Sequence, residues 1–296
     1  MIITLENGKT VRGDLLKKAV VRSDLAPIPL TFEGQIRVTG DTGKYLAEGR
    51  TLTVNQDVFK IIANPEDTKA QLVQGKQGVE FKQVIALLNN CHTAAFISAK
   101  AIIKEKTSLA AIYKAAGAGL AGIDGDVTVP YFCCLAGSCP TFPLAQVLQE
   151  QGGVLRWKNG KMAFFRIGDL FNQKPVLTLP DTGADTLSNG FLARHTVPSF
   201  YSLADDGSFI YGNRDKTRSS YYVPNKNAQQ LQNMSRCLIR RKIINRIDLA
   251  PAIAAGDLIG FAGGQALAVI TAAHVFESDG AHSKQYTRLW LGEALT

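Results

Sequence analysis

The chain has 296 residues, 46% of them hydrophobic and only 20% charged. That balance excludes a disordered polyelectrolyte and suits two or three small packed domains. The formal charge of +8 divides into about +2 over residues 1–98, +4 over 99–180 and +2 over 181–296, which excludes a single domain-sized basic face.

Residues 1–98 read mostly as strands. Ile2–Leu5 and Thr10–Arg12 flank Asn7-Gly8, a short hairpin signal. Asp24–Val38 and Leu46–Val54 are strand-rich, with room for a short helix between them. Val79–Leu88 changes period, and Cys91–Ile97 closes the region. The opening MIITLENGKTVRGDLLKK lacks a basic start followed by an apolar run, so no secretory leader is expected.

Residues 99–180 read as an α+β insert. Thr107–Leu120 has Leu109, Ile112, Ala116 and Leu120 at helical spacing behind a Thr107 or Ser108 cap. Val127–Leu135 is strand-like. From Thr141 a second helix is expected, with Thr141 as cap, Pro143 in the first turn and Leu144, Val147 and Leu148 on one face. Gly152-Gly153 ends it, since glycine takes the left-handed cap conformation at little cost. Val154–Trp157 and Met162–Ile167 then form a hairpin through Asn159-Gly160.

Residues 181–296 open with a polar, aromatic-spotted stretch, Asp181–Gln232, holding short strands at Phe209–Tyr211 and Ser220–Val223. A segment this long without regular structure is functional or ordered by a partner. Tyr201, Tyr211, Tyr221 and Tyr222 suit a docking surface or ordinary packing. Arg236, Arg240, Arg241, Lys242 and Arg246 form a basic cluster. It reads as a DNA-binding helix, or as a strand with basic residues outward and Leu238, Ile243 and Ile247 inward. Leu258–Phe276 is long enough to span a bilayer and carries no Asp, Glu, Lys or Arg. Its glycines and polar residues instead favour two strands joined at Gly263-Gly264, so no membrane span is expected.

Cys91, Cys133, Cys134, Cys139 and Cys237 are odd in number and lack zinc-site spacing, which points to reduced, buried thiols. Two Asp-Thr-Gly runs, at Asp41 and Asp181, raise the possibility of an aspartic protease with its two carboxylates sharing one proton. The contexts argue against it. Pro180 and Gly40 precede the aspartates, and no apolar strand follows Asp181, so both runs read as turns. His92, His195, His274 and His282 are scattered, with His274 expected as a hydrogen-bonded structural residue. Nucleotide-binding glycine loops are absent from the sequence.

The helix–EQGG–strand–Asn-Gly–strand block resembles one found in the tail-tip and baseplate hub proteins of bacteriophages, a late-control D-type family related to the hub domains of type VI secretion spike proteins. Other segments match the family in order and spacing. They are the Thr107–Leu120 helix before a strand, Ala255-Gly256-Asp257-Leu258-Ile259, Ala266–His274, Thr287–Gly292, and Asp24–Val38 leading to Leu46–Val54. Each is loose alone, and together they cover most of the chain.

The resemblance implies an α+β, mainly β fold with two small β-barrel-like domains, 1–98 and 181–296, around the 99–180 insert. It implies a structural homotrimer without catalytic, metal or cofactor sites, adapting a six-fold tail tube to a three-fold spike or fibre. Its partners would be the tail tube or distal tail protein, a spike or fibre protein and the tape-measure protein, with DNA only in transit. The location implied is the virion tail tip, after assembly in the bacterial host cytoplasm. Interface candidates on this reading are Leu46, Leu52 and Val54, Leu258, Ile259 and Phe261, and the four tyrosines. The competing classes are the protease and a β-rich nucleic-acid-binding module built on strand 236–246.

Overall fold

The computed structural model describes residues 1–65, 81–180, 197–279 and 282–295, and the backbone of Asp185 and Thr186. The N-terminal region supplies β1 (Ile3–Leu5), β2 (Leu16–Asp24), β3 (Leu30–Arg37), helix α1 (Thr42–Tyr45), β4 (Thr51–Val54), β5 (Asp57–Ala63) and β6 (Phe81–Leu88). The middle holds β7 (Ile102–Ser108), α2 (Leu109–Ala115), β8 (Ile123–Asp124), β9 (Thr128–Cys134), α3 (Thr141–Glu150), β10 (Gly153–Lys158) and β11 (Lys161–Arg166). Next come β12 (Leu177–Leu179), β13 (Asp185–Thr186), β14 (Ser199–Leu203), β15 (Phe209–Tyr211), β16 (Ser220–Tyr222) and α4 (Ala228–Met234). The chain finishes with β17 (Cys237–Asp248), β18 (Leu258–Phe261), β19 (Leu267–Ser278) and β20 (Ser283–Leu295). The fold is α+β and mainly β.

One twelve-stranded sheet runs in the order β1-β4-β5-β6-β3-β2-β19-β20-β17-β13, with β18 also beside β19 and β12 parallel to β18. The antiparallel β2–β19 pair, from Thr271 opposite Asp24 to Glu277 opposite Lys18, joins the N- and C-terminal regions. Among the described residues this sheet stays open and does not close into barrels. The free side of β1 is blunted by the chain folding back on it: Leu5 N–H donates to Lys9 O at 2.9 Å and Val11 N–H to Ile3 O at 2.8 Å. Such capping leaves no template for a stray strand.

Local sequence explains the turns. Asn159 and Gly160 take φ of 53° and 74°, both positive as the tightest hairpin turn demands, and β10 pairs with β11 from Gly153–Arg166 to Lys158–Lys161. Gly152 caps α3 at φ 61°. Two helices differ from expectation. Thr141 is already helical, and Pro140 holds the cap position without a side-chain bond. Helix α2 keeps the Ser108 cap, whose hydroxyl accepts Ala111 N–H at 3.2 Å. It stops at Ala115, because Gly117 turns left-handed at φ 83° and takes Leu120 out of register.

One apolar core runs from Ile3 through Phe59, Leu88 and Tyr113 to Phe164, so the N-terminal strands and the middle region share an interior. Tyr113 is fully buried and donates its hydroxyl to Pro27 O at 2.7 Å; burial pushes its pKa well up. A second core gathers Ile244, Ile259, Phe261, Val269, Leu289 and Leu291. Cys133 and Cys134 point to opposite faces, Cys134 inward and Cys133 half-buried. Burial pushes the Cys91 thiol up to about 12.

His274 lies at the second core's edge, its Nε2 donating to Ile253 O and its Nδ1 accepting from the Thr287 hydroxyl, both at 3.0 Å. These partners satisfy the neutral ring, and desolvation lowers its pKa, with the Ile253 bond opposing. The unfolded chain therefore binds a proton on this histidine before the folded chain does, so stability falls as pH drops through about 6.5. Chemical denaturation between pH 8 and 5 is expected to show this slope, and His274→Gln to remove that part of it. An unchanged slope in the variant would place the acid sensitivity elsewhere.

Candidate assembly surfaces

The block that stands out in the sequence forms a junction between three parts of the molecule. Arg156 and Lys158 project from β10 to Asp257, which is 2% exposed. Lys158 Nζ lies 2.7 Å from both carboxylate oxygens and Arg156 Nη1 3.5 Å from one. Asp257 also accepts Ala254 N–H at 2.9 Å. Gly256 beside it has φ 86°, and a Cβ there would sit 2.8 Å from Arg156 Cδ, so only glycine admits the arginine. On the opposite face of β10, Trp157 Nε1 donates to Asp57 Oδ1 at 2.7 Å, reaching the N-terminal strands. Burial pushes the Asp57 carboxyl up while the indole bond pulls it back.

At the other end of the block Glu150 holds α4. Lys226 Nζ lies 2.7 Å from its carboxylate, and Asn233 Nδ2 donates to its carbonyl at 3.0 Å. Strand β10 and the Ala-Gly-Asp segment, 99 residues apart between Lys158 and Asp257, thus share one structural joint.

The expected interface residues divide sharply. Leu46, Leu52 and Val54 are buried in the first core, and Leu258, Ile259 and Phe261 in the interior of the C-terminal region. Strand β4 is flanked by β1 and β5, and β18 by β12 and β19. Neither those six side chains nor those strand edges face outward, because each strand has a partner on both sides and packs into a core. The tyrosines are different. β14, β15 and β16 form a separate three-stranded sheet, with Tyr201 opposite Tyr211 and beside Tyr222, and Leu203 opposite Phe209. Tyr201 lies 5.9, 6.0 and 5.6 Å, ring to ring, from Phe209, Tyr211 and Tyr222. Phe209 is 60% exposed. Tyr221 is exposed as well, on the opposite parity beside Phe200.

Four of the five basic residues lie on strand β17, divided between faces by bulges at Arg240/Lys242 and Ile244/Ile247, and Arg236 directly precedes it. The bulges bring Ile244 rather than Ile243 into the core. Arg241 Nη2 pairs with Glu293 at 2.6 Å, Lys242 Nζ lies 4.5 Å over the Phe261 ring and Arg246 5.4 Å over Tyr286. Arg236 lines a cleft with Asn213 and Gln232, and Arg240 is exposed. This is no continuous cationic groove for a phosphate backbone.

The architecture has close counterparts. A tail protein from Neisseria meningitidis superposes with a TM-score of 0.65 at 11% identity, covering 99% of this chain and 95% of that one. The 43 kDa tail protein of prophage MuSo2 from Shewanella oneidensis gives 0.63 at 11% identity over 98% and 97%. The chain has the fold of a phage tail protein. Prophage tail protein gp18 from Listeria monocytogenes agrees, at 0.59, 11% identity, 99% and 94%. A type VI secretion component from E. coli, itself described as similar to the T4 tail proteins gp27 and gp5, gives 0.54 at 9% identity over 95% and 74%. No protein-family model and no curated protein matches the sequence.

Only one of the two Asp-Thr-Gly runs lies among the described residues. Asp41 sits in an exposed turn, its side chain 74% accessible and 2.9 Å from Lys44 Nζ, whereas a carboxylate dyad must be close and shielded. Asp181 and His195 lie outside the described residues. Among the described residues no three His, Cys, Asp or Glu side chains gather as metal ligands, and no helix is long and apolar enough to cross a membrane.

Sequence reasoning missed one surface. Ile103, Tyr131 and Leu135 are 54%, 54% and 61% exposed on the outer face of the β7–β9 ribbon. The signal was present in Tyr131-Phe132-Cys133-Cys134-Leu135, a strand apolar on both faces, which calls for cover on both.

Proposed function

We propose that this chain is a structural hub subunit of a phage tail tip or baseplate. Three copies form a ring that adapts the six-fold tail tube to a three-fold spike or fibre, leaving a channel for DNA and the tape-measure protein. The reading rests on the likeness of fold to the Neisseria tail protein across 99% of this chain and 95% of that one. The type VI secretion neighbour, described as resembling gp27 and gp5, supports a position next to a spike. The broken-up basic strand suits a channel wall that DNA must pass without being held, since tight phosphate binding would arrest it.

Antibody against the purified chain, applied to intact particles, is expected to label the far end of the tail. Negative-stain class averages of the purified chain are expected to show three-fold rings. Particles that carry no label would overturn the reading.

A further inference from the structure

The outer face of a small sheet normally carries polar side chains. The β14–β16 sheet instead presents Tyr201, Leu203, Phe209, Tyr211 and Tyr222 together. Arg214 lies over this platform, its Cζ 4.9 Å from the Tyr211 ring centre. Among the described residues no carboxylate pairs with that guanidinium. Aromatic rings with an unpaired arginine are the composition of a protein interface core.

The β7–β9 ribbon is a second apolar face. Ile103 lies opposite Cys133 and Glu105 opposite Tyr131 in register, with Leu135 following on the same parity. Glu105 is exposed, and among the described residues it has no cationic partner.

These faces lie at the two ends of one stack of layers. The ribbon's inner side packs on α3 through β9, and α3 packs on α4. Three bonds tie the two helices: Gln149 Nε2 to Met234 O at 3.1 Å, Gln230 Nε2 to Glu150 at 3.3 Å and Asn233 Nδ2 to Glu150 O at 3.0 Å. Helix α4 in turn backs the aromatic sheet. The ribbon and the platform therefore look outward from opposite sides of ribbon–α3–α4–sheet.

We infer that the aromatic platform of one copy docks on the β7–β9 ribbon face of the next copy, with Arg214 meeting Glu105 of its neighbour. Two unlike faces on opposite sides of a subunit make a head-to-tail contact, and such contacts close into rings when the rotation allows. The charges decide the occupant. Arg214 at the platform and Glu105 beside Tyr131 on the ribbon have opposite signs and no ion-pair partner among the described residues, and the exposed Lys104 and Lys106 flank the glutamate along β7. An Arg214–Glu105 pair is what the two halves of a self-docking interface require. Self-docking here rests on the ring proposed above, and adds which surfaces close it.

The test is sedimentation of the full chain carrying Arg214→Glu, Glu105→Arg, or both. Each single reversal is expected to weaken assembly by at least about tenfold with an unchanged circular-dichroism spectrum, and the double reversal to restore it. Phe209→Lys, at an exposed position, is expected to abolish assembly without loss of fold. Wild-type rings that persist unchanged in all three single variants would overturn this contact and leave the ring reading standing. A wild-type chain that labels the tail tip yet never self-associates would also overturn it, and would give the platform to a different tail protein. A monomer that never labels the tail would remove both readings.

Discussion

Asp257→Ala is expected to destabilise the chain by about 3–5 kcal/mol, the usual penalty for removing one member of a buried ion cluster. The aspartate is 2% exposed, while the Lys158 and Arg156 side chains that face it are 23% and 16% exposed. Deleting the carboxylate leaves two cations in the joint, and Ala254 N–H also loses its acceptor. Water cannot fully compensate, because Gly256 brings the backbone against the arginine stem. Equilibrium denaturation reads this as a lower midpoint at constant slope. Asp257→Ala in a Lys158→Met background is expected to cost measurably less, since one stranded charge is gone. A shift below about 1 kcal/mol would mean that the joint is solvated and weak.

Gly212→Ala is the second large effect. A Cβ at this position would lie 2.5 Å from Leu231 C, 2.6 Å from Leu231 O and 2.7 Å from Gln232 N, all backbone atoms of α4. Backbone cannot swing aside as a side chain can, so the helix must move away from the sheet it supports. Overpacking of this kind costs roughly 1–3 kcal/mol. The damage is expected to be local. Near-ultraviolet circular dichroism from the Tyr201–Tyr222 rings should weaken while the far-ultraviolet signal from the twelve-stranded sheet stays. Loss of both signals together would show that the platform and the main sheet unfold as one unit.

Much of the local structure was legible because it follows from short-range chemistry. The Asn159-Gly160 hairpin, the Gly152 cap and the Gly263-Gly264 turn between β18 and β19 each depend on a few adjacent residues. The family resemblance supplied the α+β, mainly β class through the order of such blocks, but not the open twelve-stranded sheet that stands where two barrel-like regions were expected. The interface residues were harder. Leu52 and Val54 alternate along β4, and Leu258–Phe261 is apolar throughout, in the same way whether the strand is at an edge or in the middle of a sheet. Only pairing with β1 and β5, or with β12 and β19, shows which. The Asp257 joint was illegible for a different reason. A lysine and an aspartate 99 residues apart carry no local mark of their meeting. The bulges in β17 likewise depend on pairing with β20, so the exchange of Ile243 for Ile244 could not be anticipated from one strand.

The β2–β19 pair also governs how the molecule is made. Its members are far apart in the chain; Thr271 and Asp24, hydrogen-bonded across it, are separated by 247 residues. Strand β2 pairs with β3 on its other side and waits on this side for β19 to emerge from the ribosome. At about 5–20 residues per second, that wait is on the order of ten seconds or more. Throughout it a nine-residue strand offers an open hydrogen-bonding edge, and neighbouring nascent chains offer the same edge. Closing so long a loop makes this a slow-folding topology. Yield of native protein is therefore set by how well that nascent edge is shielded, and a holdase chaperone protects the chain before its last strands arrive.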